Sequence, residues 1–258
     1  MSNSRCINEI MSRPFSIAKS APVTEALDKM LDEGVDPLIV VHNNGVIGTI
    51  SRESIAILLG SKRNSQIAPT NIHVANCVEE DFTTVYPDED MDILVPLLQR
   101  YKLVVVYDKE HNLIGQVTSK DLVLGIEPEG NIADYIERVL TIDPEERVIH
   151  ARRRILDEKI HRFVVAQEGK MVGIITETDI ATAMRNFRKD VEDKHQDHRI
   201  RNLIVRDIMT SPVISVDVKS ELKVAITIMK EKNLSALPVT ENGALLGIIS
   251  WASLVAHM

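Results

Sequence analysis

A chain of 258 residues with 44% hydrophobic and 26% charged residues can bury one large core or several small ones, and a formal net charge of -8 makes nucleic acid or an anionic membrane an unlikely main partner, since either calls for a cationic face. The longest apolar runs, residues 38–41 and 103–106, are strand-sized, and the opening residues lack an apolar signal core. Cys6 and Cys77 belong to no C-x-x-C pair, so reduced thiols in a cytoplasmic protein are expected, with no disulfide framework and no metal site.

Along the chain, Ile10-Met11-Ser12-Arg13-Pro14 opens a first copy of a unit: a short extended lead, an amphipathic helix, a strand at 38–41, the turn Asn43-Asn44-Gly45 and a second strand Gly48-Thr49-Ile50-Ser51. A connector at 60–71 leads to a second copy, with the strand at 103–106, the turn Lys109-Glu110-His111-Asn112 and Gly115-Gln116-Val117-Thr118. After the break Glu127-Pro128-Glu129-Gly130-Asn131, a third copy predicts an extended stretch over 139–142 and a helix over 144–158. Strands follow over 162–166 and 171–176, then a second helix. The charged stretch 185–201 precedes Ile208-Met209-Thr210-Ser211-Pro212, which repeats the opening motif and starts a fourth copy closing in Gly247-Ile248-Ile249-Ser250. The hydroxyl residue ending each second strand is placed to cap the following helix. One such unit is too small to bury its apolar faces alone, so copies should pair sheet to sheet, leaving clefts.

The closing motifs GTISRES (48–54), GQVTSKD (115–121), GIITETD (173–179) and GIISWAS (247–253), with Ala236-Leu237-Pro238-Val239, resemble the cystathionine β-synthase (CBS) domain over nearly the whole chain. The resemblance implies an α+β fold of four β-α-β-β-α repeats at 1–62, 71–128, 129–187 and 202–258. These would form two CBS pairs (Bateman modules) in a disc-like arrangement, similar to the γ subunit of AMP-activated protein kinase. It also implies that AMP, ADP or ATP, or alternatively S-adenosylmethionine, binds where lead, hairpin and final [ST]-x-x-D meet.

On that reading Asp121 and Asp179 accept from the ribose hydroxyls, whereas copies one and four carry Ser54 and Ser253 there. Thr118, Thr176, Lys120, His161 and Arg162 are the phosphate or ribose-hydroxyl candidates, with Lys102 taken as the copy-two counterpart of Arg162. Thr84, Val85, Thr141 and Ile142 align with the adenine region, and Ser16, Ser51, Arg52, Ser215 and Ser250 mark weaker sites. Asp121 and Asp179 could equally serve only as helix-end residues, and the bases could be solvated or paired.

Other groups read as structural. His195 and His198 belong to a charged linker, Arg152-Arg153-Arg154 beside His150 to the solvent face of a helix, Trp251 to packing, and Met30, Met91, Met184 and Met229 to core filling. No nucleophile–base pair or phosphate loop is recognisable, so the expectation is a non-enzymatic regulator without a catalytic cofactor. It would signal to a protein partner, with a homodimer as one assembly. The alternative is a ligand-independent scaffold.

Overall fold

The computed structural model describes residues 5–60, 68–158, 160–190 and 202–258. Copy one comprises β1 (Ser16–Ala18), α1 (Val23–Glu33), β2 (Leu38–His42), β3 (Gly45–Ile50) and α2 (Arg52–Gly60). Copy two comprises β4 (Thr83–Val85), α3 (Leu94–Arg100), β5 (Leu103–Tyr107), β6 (Leu113–Thr118) and α4 (Ser119–Ile126). Copy three has β7 (Leu140–Ile142), α5 (Val148–Glu158), β8 (Arg162–Gln167), β9 (Lys170–Thr176) and α6 (Glu177–Asp190). A short α7 (Val205–Ile208) precedes copy four, made of β10 (Val216–Asp217), α8 (Leu222–Glu231), β11 (Ala236–Glu241), β12 (Ala244–Ser250) and α9 (Trp251–Ala256).

Each copy forms its own three-stranded sheet in sequence order. The lead strand pairs parallel to the first hairpin strand, as a helical crossover requires, and in copies one to three the hairpin strands pair antiparallel. The expected turns are built from left-handed residues: Asn43 and Asn44, His111, Glu168 and Gly169, and Asn242 and Gly243 all have positive φ. The first helices bury residues at helical spacing. Val23, Ala26, Leu27 and Met30 line α1, and Leu222, Ala225, Ile226 and Met229 line α8. Each large side chain buried this way contributes roughly 1.5–3 kcal/mol.

One helix boundary differs from expectation. Residues 144–147 form a turn, and α5 begins at Val148, because this backbone is committed elsewhere. Val148 N–H donates to the Leu203 carbonyl, while Val205 and Arg206 N–H donate to the carbonyls of Glu146 and Pro144. Neighbouring chain therefore supplies the hydrogen bonds that a helical first turn would have left unmade.

The chain divides into two compact units, residues 1–136 with 219–237 and 249–258, and residues 137–218 with 238–248. Within the first, copies one and two pair through their sheets: Ile39, Leu103 and Val105 form a core flanked by Val41, Val46, Phe82, Tyr107 and Leu113. The leads cross over. Ser12 and Gln116 exchange backbone hydrogen bonds of 2.9 and 3.0 Å, and Thr49 and Glu79 exchange bonds of 2.9 and 2.8 Å. The second unit repeats the device, with Thr210 pairing to Ile174 and Glu137 to Ile248. Gly48 shows how close the approach is, since a Cβ there would lie 2.3 Å from the Glu79 carbonyl oxygen.

Candidate functional site

At the entrance to each second helix the sequence places a hydroxyl residue and, three residues on, an Asp or Ser. All four pairs form reciprocal caps. In copies two and three one carboxylate oxygen does the capping: Asp121 Oδ2 accepts from the N–H and hydroxyl of Thr118 at 2.8 and 2.6 Å, and Asp179 Oδ2 accepts from Thr176 at the same distances. Ser54 and Ser253 also accept from their cap N–H, but each donates its hydroxyl to the cap residue's own carbonyl, at 3.0 and 3.1 Å.

The second oxygen of each Asp takes no part in its cap. Asp179 Oδ1 accepts from the Thr210 hydroxyl at 3.1 Å, while near Asp121 the Ser12 hydroxyl donates to the Gln116 carbonyl at 3.3 Å; Thr210 and Ser12 both lie on the crossed-over lead of the paired copy. Burial, the largest influence, raises the Asp121 pKa, and its hydrogen bonds to Thr118 and the Lys120 charge oppose it. In copy one the chemistry is inverted. The cap hydroxyl of Ser51 donates at 2.7 Å to Glu79, which occupies the crossed-over lead position. Sequence reasoning did not single out Ser12, Glu79 or Thr210 for this role. The signal available was that Ile-Met-Ser and Ile-Met-Thr in two leads stand where Cys-Val-Glu stands in another.

Arg162 starts β8 directly opposite Thr176. Its Nη1 is buried without a hydrogen-bond partner, burial lowers its pKa, and the carboxylates of Glu137 and Glu177 act on its charge in the other direction. Strand register corrects one equivalence: Leu103, opposite Thr118, takes Arg162's place in copy two, and Lys102 matches His161. Three residues before the partner of the hairpin glycine, copies one to three thus carry Pro37, Leu103 and Arg162.

The remaining bases are engaged. His161 Nδ1 lies 3.3 Å from Glu177, Lys120 Nζ donates to Asn233 at 3.0 Å, and Lys102 pairs with Glu53. Arg52 is held by Asp36 at 3.3 Å, with side chains only 16% and 10% exposed, and it also donates to the Val35 carbonyl.

In the expected adenine region, Thr84 and Thr141 are exposed on β4 and β7, while Val85 and Ile142 are buried in the core. Ser16 is half-buried on β1 and its carbonyl accepts from Lys29; Ser215 is half-buried beside β10, and Ser250 is a buried cap.

The other features are structural. Arg153 and Arg154 pair with Asp157 and Glu158 one turn on, and Arg154 also stacks over Phe163. Trp251 is buried and its indole donates to the Leu234 carbonyl. Met30, Met91 and Met229 are buried, and Met184 packs against the copy-three core. Burial, aided by Glu79, pushes the Cys77 thiol up to about 11, which keeps it protonated. His195 and His198 lie outside the described residues. Among the described residues no group of three metal-ligating side chains occurs, and no helix is long and apolar enough to cross a membrane.

The CBS domain family model matches residues 7–61, 74–127, 132–186 and 205–258. The chain belongs to the CBS domain family. Among relatives, the uncharacterized protein MJ1225 of Methanocaldococcus jannaschii is 29% identical over 236 residues, covering 83% of each chain. MJ1404 of the same organism is 26% identical over 98% of this chain, which spans 61% of that protein. The crystal structure of MJ1225, described as a candidate archaeal homolog of γ-AMPK, superposes with a TM-score of 0.83 at 25% identity, covering 98% of this chain and 99% of that one. An uncharacterized conserved protein from Pyrococcus horikoshii shares the fold, with a TM-score of 0.65 at 22% identity and the same coverage. This CBS protein therefore combines four repeats with two kinds of cap.

Proposed function

We propose that this CBS protein is a non-catalytic regulator that binds an adenine nucleotide at the Asp-capped copies and signals occupancy to a protein partner. One observation carries the reading: Arg162 holds a buried guanidinium nitrogen with no hydrogen-bond partner, on the strand residue facing the Thr176–Asp179 cap. A buried donor left unmade costs stability, and fork-shaped guanidinium groups are suited to phosphate oxygens. Asp179 adds an acceptor for a ribose diol, and Thr141 lies exposed on the adjoining lead strand. The description of MJ1225 as a candidate γ-AMPK homolog supports the same class of ligand. A guanidinium nitrogen lacking a hydrogen-bond partner suits phosphate oxygens, so AMP, ADP or ATP fits copy three better than S-adenosylmethionine, which carries no phosphate.

The test is calorimetry of the purified protein with AMP, ATP and S-adenosylmethionine. Saturable AMP binding is expected, weakened about tenfold or more by Asp179→Ala with the thermal transition retained. Absence of heat and of thermal stabilisation at millimolar concentration with every ligand would sink the nucleotide reading and leave the scaffold role.

A further inference from the structure

The cap and the lead residue facing it are matched. Where the cap carries a carboxylate, the paired copy's lead carries a hydroxyl: Thr210 donates to Asp179, and Ser12, held by its backbone pair with Gln116, stands at the same lead position beside the Asp121 cap. Where copy one's cap carries Ser54, the paired copy supplies the carboxylate of Glu79, held by Ser51 at 2.7 Å and fixed by the Thr49–Glu79 backbone pair. A hydroxyl both donates and accepts, so Thr210 can turn from Asp179 to an incoming ligand and release the acceptor oxygen, and Ser12, which donates to the Gln116 carbonyl, brings no charge against a ligand at Asp121. Glu79 has no such freedom: it brings a negative charge to the Ser51 cap, and the nearby cation, Arg52, is already consumed by Asp36.

We propose that this lead position, filled from the paired copy, decides which copies accept an adenosine ligand. The hydroxyls of Ser12 and Thr210 license copies two and three, and the carboxylate of Glu79 closes copy one. The proposal rests on the nucleotide reading above and adds the rule for site selection.

Two variants test it by calorimetric stoichiometry with AMP and, in parallel, adenosine. The double variant Glu79→Thr, Ser54→Asp gives copy one the copy-three pair and should raise the parent's stoichiometry by one. Thr210→Glu should lower it by one. Either variant that retains a cooperative thermal transition yet keeps the parent's stoichiometry overturns the rule while leaving nucleotide binding standing. If the double variant does not fold, Thr210→Glu decides alone. Absence of binding by parent and variants together overturns both readings.

Discussion

Copies one and three share a backbone and differ in what their charges do. The residue four before the hairpin-glycine partner and the residue after the cap are Asp36 and Arg52 in copy one, and His161 and Glu177 in copy three. The same juxtaposition is kept with the acidic and basic residues exchanged. Copy one closes its charges into a largely buried pair and seals its cap with Glu79, whereas copy three adds a second base, Arg162, beside its pair; each copy leaves one buried guanidinium nitrogen without a hydrogen-bond partner, Arg52 Nε and Arg162 Nη1. The fold requires only that the cap satisfy the helix N-terminus, and serine does that as well as aspartate. The charges are therefore free to specialise, one copy toward stability and the other toward the ligand proposed above.

The largest expected effect breaks the copy-one side. Arg52→Ala removes the guanidinium from a pair whose Asp36 side chain is only 10% exposed and should cost about 3 kcal/mol of stability. Calorimetric melting should show a fall of several degrees with the AMP affinity of copy three unchanged. A melting temperature within a degree of the parent's would remove the distinction between a stabilising copy and a binding copy.

Arg162→Met sharpens the other side, because its two effects have opposite signs. Removing an unmade buried donor should raise the stability of the ligand-free protein by about 1 kcal/mol, while AMP affinity drops ten- to a hundredfold. Denaturant melts beside AMP titrations read both quantities. A loss of stability together with unchanged AMP affinity would make Arg162 a structural residue.

Much of this was legible in the sequence. The four G-h-x-[ST] motifs located the hairpins and caps, since turn residues and cap hydroxyls act through local backbone geometry. What was hidden depends on partners remote in sequence. The turn at 144–147 depends on the Val205 and Arg206 N–H groups that donate to its carbonyls, and the place of Lys102 depends on strand pairing, which, rather than the local string, fixes the equivalence. The burial of Arg52 against Asp36 and the crossing of Ser12, Glu79 and Thr210 into paired copies likewise come from tertiary pairing.

The smallest effect separates the two Asp-capped copies by pH. Burial raises the Asp121 pKa above the ordinary carboxylate value in the folded chain. Between those two values the folded protein binds more protons than the unfolded one, so the Asp121 contribution makes stability increase as pH falls through that window. Protonation also removes a two-oxygen acceptor, so the copy-two site should begin to lose AMP on acidification while ordinary carboxylates are still ionised. Calorimetric titrations from neutral pH down toward the ~3.9 of an unperturbed aspartate should show this loss. Asp121→Asn, whose side chain does not titrate, should abolish this part of the pH dependence and leave the Asp179 site as it was. A pH profile identical in parent and variant would mean that Asp121 caps its helix without meeting the ligand.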